Sequence, residues 1–371
     1  GATPPPRPTE GGILNWITRE KRRSDLYVAL DLPSGLHPVT GQASESVFPA
    51  DLTLALGSVK SGCLKDSALP WVGQLRAVPI DFAIPPPKPM ADFFLPCEAH
   101  SILPTRPANA HKRSSGVVHL WAGSSQFPGA AALTSIGSLR SGAGYVRLFA
   151  DRPIPESLSP SMPELLLHPL EPSQHPPPEL FLDGATALVI GPGLPPSADL
   201  KKFLTQLLPQ TTIPIVLDAG ALEVVAHHPQ VLTSATGPIL LTPHAGEFSR
   251  LLGAPVSDRA ESALLWLKKF PSTFLIAKGP HSLIAGTDHP FSFNSTGGPA
   301  QATAGMGDLL AGLLGGLLAQ GTPPFDAARL AVLWHGLASD LALLSGGPTN
   351  LGSDLSLTLS TAWRILAGRA E

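Results

Sequence analysis

Cysteine is nearly missing. Cys63 and Cys97 are the only two in 371 residues, too few for a disulfide scaffold and without metal-ligand spacing, which points to a reduced cytoplasm. Charge is scarce as well: only 14% of residues are charged, the net charge is −3, and no basic stripe gathers the 25 Lys and Arg. Neither nucleic acid nor an anionic membrane is therefore an expected partner. The one dense cluster, Arg19, Lys21, Arg22 and Arg23, reads as a solvated helix end. Residues 1–12 are rich in Pro and Gly and lack the apolar centre of a signal peptide. No repeat of fixed period is present, and the apolar run 309–319 is too short to cross a bilayer.

Apolar material is plentiful by contrast. At 43% hydrophobic over 371 residues, the chain can build sizeable cores, and its length suggests two domains. Proline is abundant, with 42 residues, but it gathers at 4–8, 85–89 and 153–178 and leaves periodic apolar segments between. It punctuates a folded chain. The stiff run 84–89 lacks sheet donors, which puts a domain boundary near residue 95. The stretch 153–178 reads as a long surface excursion of the second domain.

Strand-like and helix-like runs alternate. Strands are expected at 27–32, 51–56 and 75–80 in the first part, then at 117–122, 145–149, 185–190, 215–218, 239–241 and 273–277. Helices are expected at 130–141, 198–208, 221–227, 247–252 and 258–270. Such alternation predicts an α/β fold with a mostly parallel sheet covered on both faces. In that architecture ligands gather beyond the carboxyl ends of the strands. The residues there are Gly191-Pro192-Gly193-Leu194, Asp218-Ala219-Gly220-Ala221, Thr242-Pro243-His244-Ala245-Gly246-Glu247 and Lys278-Gly279-Pro280-His281-Ser282. Each alone is an ordinary turn, a solvated lysine or a loop histidine. Their convergence on one sheet edge points to a site.

A fifth segment, Thr303-Ala304-Gly305-Met306-Gly307-Asp308, runs directly into the apolar stretch 309–319. Small and flexible residues ahead of a helix expose its first N–H groups, which attract phosphate, and Asp308 places one carboxylate beside them. That combination suits phosphoryl transfer. The alternative is a glycine turn entering a buried helix, with Asp308 only a cap.

With these motifs in order, residues 96–371 resemble the carbohydrate-kinase-like domain of the NAD(P)H-hydrate dehydratases. The likeness also takes in His111-Lys112, Gly123-Ser124, Gly129-Ala130-Ala131 and Leu139-Arg140-Ser141-Gly142-Ala143-Gly144. It implies a ribokinase-like three-layer α/β/α domain. The implied reaction dehydrates the S epimer of hydrated NADH or NADPH (NADHX, NADPHX), coupled to hydrolysis of ADP, or of ATP in eukaryotic members, with Mg2+ carried by the nucleotide. On this resemblance Asp308 is the catalytic base. Lys278, Gly279, Pro280, His281, Ser282, Gly305 and Gly307 line the nucleotide, and Ala130, Gly193, His244 and Asp308 contact the hydrated dinucleotide. No dedicated metal cage is implied, and a homo-oligomer is.

Residues 1–95 resemble the C-terminal part of an NAD(P)H-hydrate epimerase domain, through Leu30-Asp31-Leu32-Pro33-Ser34-Gly35-Leu36, Thr40-Gly41, Ala50-Asp51 and Lys60-Ser61-Gly62. The implied segment is an incomplete Rossmann-like α/β unit ending in the proline-rich linker, since the family's phosphate loop lies upstream of anything present here. Asp31 would be its catalytic carboxylate and Ser34 would lie near a monovalent cation such as K+. The other expectation is a remnant sheet without epimerase activity.

Five positions depart from the dehydratase pattern: Gly298, Ala245, Gly220, Ala304 and Arg113. None removes Asp308. Pro280 and His281 alter the donors of the nucleotide loop, which leaves ADP against ATP open. A ribokinase-like vitamin kinase using ATP and a nucleotide-binding scaffold without turnover are the competing functional classes.

Overall fold

The computed structural model describes residues 26–80, 91–171, 174–344 and 349–369. The cluster Arg19, Lys21, Arg22 and Arg23 and the proline run 84–89 lie outside them. Two compact units divide the chain: one takes in residues up to Phe93 together with Ser257–Ser262, the other Phe94–Val256 and Ala263–Glu371. Among the described residues no helix is long and apolar enough to cross a membrane.

The first unit holds a three-stranded parallel sheet of β1 (Val28–Leu30), β2 (Leu52–Leu56) and β3 (Gln74–Val78), in that order. A small core of Leu36, Ala55, Cys63, Ala68, Val72 and Leu75 backs it.

A ten-stranded sheet organises the second, and the boundary between Phe93 and Phe94 falls inside its first strand. Its strands are β4 (Ala91–Phe94), β5 (Val117–Trp121), β6 (Tyr145–Asp151), β7 (Leu166–Leu170), β8 (Ala187–Ile190), β9 (Ile215–Leu217), β10 (Ile239–Leu241), β11 (Thr273–Ala277), β12 (Leu283–Gly286) and β13 (Phe291–Asn294). The order is β4-β13-β12-β11-β10-β9-β8-β5-β6-β7. All pairings from β11 to β7 are parallel, while β11–β12 and β12–β13 are antiparallel. The sheet is mostly parallel, as the alternation predicts. Strands β8, β9 and β10 are buried at every residue, which is why they read as unbroken apolar runs. From β5 the chain moves to β6 and β7 on one side and returns through β8 to β9, β10 and β11 on the other. The carboxyl ends of β5 and β8 thus flank the topological switch point.

The stretch 153–178 is not the surface excursion expected. It contains the helix Pro153–Leu158 and strand β7, which pairs with β6 at the sheet edge. Pro169 sits within β7, and an edge strand tolerates its missing donor.

Two helices form a tight seam behind the sheet. Met306–Ala319 crosses Pro128–Arg140 so closely that a Cβ on Gly312 would lie 2.1 Å from the carbonyl oxygen of Thr134, and one on Gly137 would lie 2.3 Å from that of Leu309. Backbone meets backbone, so the entry point of Met306–Ala319 is fixed by contacts that cannot give.

Two buried imidazoles make this unit acid-sensitive. Burial pushes both His119 and His335 from 6.5 to about 4, against the Phe181 carbonyl in the first case and the Met306 backbone in the second. The unfolded chain binds these protons first, so stability present above pH 6.5 is lost as pH falls toward 4. At pH 5 each imidazole costs about 2 kcal/mol, while Asp308, raised as described below, returns roughly 1 kcal/mol. Urea unfolding at pH 7.5 and 5.0 should show a net loss of about 2–3 kcal/mol, reduced by roughly 2 kcal/mol in His119→Phe. A pH-independent midpoint would refute it.

Candidate active site

Three consecutive strands of the switch half end in charged residues. After β9, Asp218 donates its N–H to the Ile190 carbonyl and is 2% exposed. Ala219 follows at φ 45°, ψ −115°, a left-handed backbone that an alanine rarely adopts, before the helix Gly220–His227 begins. After β10, His244 caps the helix Ala245–Leu252: its Nδ1 accepts from the N–H groups of Gly246 at 3.0 Å and Glu247 at 3.3 Å, and Glu247 Oε2 accepts from His244 N–H at 2.8 Å. This capping box orders the loop and buries Glu247. After β11, Lys278 donates its N–H to the Pro243 carbonyl, tying the two loops together. Its Nζ lies 3.0 Å from Asp218 Oδ1 and 3.9 Å from Glu247 Oε2.

The phosphate-type turn meets this cluster. Gly305, at φ 87°, turns the chain into Met306–Ala319, and a Cβ there would lie 2.4 Å from Leu133 Cδ1. The positive φ is what favours glycine here. A Cβ on Gly307 would come 3.1 Å from Lys278 Nζ and 3.6 Å from Asp218 Oδ2, so the lysine and aspartate lie directly against the first turn. Gly307→Ala should therefore displace the ammonium, lowering turnover at least tenfold with Tm nearly unchanged, as steady-state kinetics and thermal unfolding would show.

Asp308, in that same turn, is half-buried. Burial lifts its carboxyl from 3.8 to about 6, Asp218 and Glu247 add to the rise, and Lys278 opposes it. Lys278 is pulled down by its own burial, but the charges of Asp218, Glu247 and Asp308 outweigh that and hold its ammonium above the ordinary value. A carboxylate titrating near neutrality beside a helix N-terminus can accept a proton from a hydroxyl while the helix amides face phosphate oxygens.

At the switch point the loop after β5 meets the loop after β8. Gly123 donates its N–H to the Pro192 carbonyl, and a Cβ on Gly193 would lie 2.6 Å from Ala130 Cβ and 3.2 Å from Gly123 Cα. Ala130 opens the helix Pro128–Arg140 and Leu133, one turn on, touches Gly305. The Gly193–Ala130 pair is thus continuous with the Asp308 turn. Ser124 is buried and its Oγ has no hydrogen-bond partner among the described residues.

The expected residues fall into distinguishable places. Asp308, Gly305, Gly307, Lys278 and His244 belong to one group of loops, with Ala130 and Gly193 along its flank. Gly279 to Ser282 continue from Lys278: Ser282 Oγ accepts from Gly279 N–H at 3.3 Å and donates to Gly279 O at 3.0 Å, while His281, at φ 47°, sets its Nδ1 3.2 Å from the Asn294 carbonyl. Pro280 is exposed in the same turn. Asp218 and Glu247 carry no expected role in the sequence reading, yet they hold the lysine. For Asp218 the available signal was a carboxylate immediately beyond an apolar strand run. Asp31 and Ser34 lie in the other unit. Asp31 follows β1 at φ 71°, and its Oδ1 accepts from Leu56 N–H at 3.0 Å and from the Lys60 ammonium. Ser34 is exposed, its carbonyl accepting from Phe48 N–H at 3.0 Å.

Known proteins match both parts of the chain. Residues 118–360 match the family described as NAD(P)H-hydrate dehydratase, and residues 1–62 match the family described as YjeF-related protein N-terminus. The bifunctional NAD(P)H-hydrate repair enzyme of Moorella thermoacetica is 34% identical over 90% of this chain and 65% of its own length. That of Thermofilum pendens is 31% identical over 94% of this chain and 68% of its own. The chain thus spans about two thirds of these relatives. Among solved structures, the ADP/ATP-dependent NAD(P)H-hydrate dehydratase from Bacillus subtilis, co-crystallised with ATP and Mg2+, superposes with a TM-score of 0.65. It shares 31% identity over 74% of this chain and 99% of that one. By these matches and by the ribokinase-like sheet with its glycine-opened helix, the chain belongs to the NAD(P)H-hydrate dehydratase family.

Proposed function

We propose that the chain dehydrates the S epimer of hydrated NADH and NADPH to the reduced cofactor, coupled to hydrolysis of ADP to AMP and phosphate. The observation that carries this reading is the Asp308 carboxylate, raised to about 6 in the first turn of a helix opened at Gly305. Asp308 takes the proton of the C6 hydroxyl, and that oxygen attacks the terminal phosphorus of ADP as AMP departs. The turn's amides offset charge on the transferred phosphoryl group. Phosphate then leaves carbon 6, pushed by the ring-nitrogen lone pair, and loss of a proton from carbon 5 restores the double bond. Gly279 to Ser282 line the nucleotide; Ala130, Gly193 and His244 line the hydrated dinucleotide.

Magnesium fits as the nucleotide's companion. Hard carboxylate oxygens surround the turn, but Lys278 already stands between Asp218 and Glu247, so phosphates and water supply the ion's ligands. When bound it neutralises phosphate charge. This reading assigns 96–371 to the dehydratase domain and 1–95 to an epimerase-like part with Asp31 as its carboxylate and Ser34 near K+. It also expects a cytoplasmic homo-oligomer.

Incubation with hydrated NADH, ADP and Mg2+ should restore absorbance at the reduced nicotinamide band. No recovery with ADP or ATP, together with phosphorylation of a vitamin alcohol by ATP, would replace this reading with a small-molecule kinase.

A further inference from the structure

Lys278 is the obvious cation for a bound polyphosphate, yet its ammonium is already committed. Asp218 Oδ1 lies 3.0 Å away, Glu247 Oε2 3.9 Å away, and the helix's first turn lies so near that a Cβ on Gly307 would come 3.1 Å from Nζ. We propose that Asp218, acting through Lys278, is a positioning residue for the reaction: it holds the ammonium against Gly307 and thereby sets the charge of the turn that faces the phosphate. The inference rests on the dehydratase reading for its kinetic consequence, but not for its electrostatics.

Three features of the chain support it independently of any titration. Asp218 is 2% exposed and Lys278 has a side chain only 19% exposed. A buried ion pair contributes little net stability over an apolar pair of similar volume, so folding alone does not call for one here. The backbone is distorted to deliver the carboxylate: Ala219 takes φ 45°, and Gly191 has no room for a side chain because its Cβ would lie 1.9 Å from the Asp218 carbonyl oxygen. Such strain collects at functional positions. Finally, carboxylates from two separate loops, after β9 and β10, converge on the ammonium carried by a third, after β11.

The charged groups that bear on Asp308 are Asp218 from the β9 end, Glu247 from the helix Ala245–Leu252 and Lys278 from the β11 end. His335, on the helix Pro324–Leu343, feels the Lys278 charge but is held neutral by burial. The signs therefore differ between the partners. Removing the Asp218 charge relieves Asp308 of a like charge, and removing the Lys278 charge deprives it of the one cation that bears on it among the described residues.

The test is 13C-carboxyl NMR titration of Asp308 in the free protein, assigned with Asp308→Asn, beside the pH dependence of kcat and KM. Asp218→Asn should move the Asp308 midpoint below about 6, and Lys278→Met should move it above. In Asp218→Asn the acid limb of kcat should follow the NMR midpoint, and kcat at pH 7 should fall at least tenfold with less than a threefold change in KM for ADP. The double variant Asp218→Asn/Lys278→Met guards against misfolding from a stranded charge, and its midpoint should lie between those of the single variants. Unmoved midpoints, or shifts of the same sign in both single variants, would overturn the inference. Opposite shifts in a protein without cofactor repair would leave it standing and sink the dehydratase reading instead.

Discussion

Asp308→Asn should abolish cofactor repair while making the protein more stable. A positioned general base contributes roughly 10²–10⁴-fold to rate, and the two neighbouring carboxylates among the described residues, Asp218 and Glu247, are both engaged by Lys278. A loss of about 10³-fold or more in kcat is expected, with ADP affinity changed by less than a few fold. The stability effect has the opposite sign. A carboxyl raised from 3.8 to about 6 burdens the folded state once it ionises, so stability is lost as pH rises through 6. Replacing it with a neutral amide should recover up to about 3 kcal/mol at pH 8 and nothing below pH 4. Urea unfolding of both proteins at the two pH values measures this, and an Asn variant that is inactive and less stable at pH 8 would contradict it.

Gly312→Val should be the most damaging change far from the chemistry. Its Cβ would lie 2.1 Å from the Thr134 carbonyl oxygen and 3.0 Å from the Ser138 nitrogen, both backbone atoms of the facing helix. Neither can rotate away, so the two helices must separate. Overpacking a core typically costs 1–3 kcal/mol; with backbone on both sides, about 3–5 kcal/mol is expected. Separation would also carry the Gly305–Asp308 turn away from Lys278, so activity should fall even in the fraction that folds. Urea unfolding with circular dichroism would report it. A stable, active variant would show that the seam is looser than its backbone contacts imply.

Much of the architecture was legible because β8, β9 and β10 are buried on both faces and therefore consist of apolar residues alone. Strand β7 was hidden by Pro169, which only an edge position tolerates. The hairpin strands β12 and β13 do not read as apolar runs, because β12 closes on Gly286 and β13 carries Ser292 and Asn294. The helices Pro324–Leu343 and Gly352–Leu366 carry no expectation from the sequence. The first is buried on most sides, at Phe325, Ala327, Ala328, Leu330 and Ala331 among others, so no amphipathic stripe marks it. At the site, the strand-end motifs and the glycine turn were visible as segments. Their mutual arrangement was not, because the Asp218–Lys278 pair joins residues sixty apart in sequence. The resemblance set Lys278 among the residues lining the nucleotide, whereas only the fold reveals two carboxylates already upon it.

The central claim is geometric: loops from several strand ends meet where the Asp308 carboxylate and the helix amides face one phosphoryl group. A crystal structure of the protein with ADP and Mg2+ tests it most directly. The account predicts the terminal phosphate against the amides of the Gly305–Asp308 turn, with the Asp308 carboxylate directed at the space beside it and Lys278 still on Asp218. Nucleotide bound elsewhere, or the Asp308 side chain turned away from the phosphate, would contradict it.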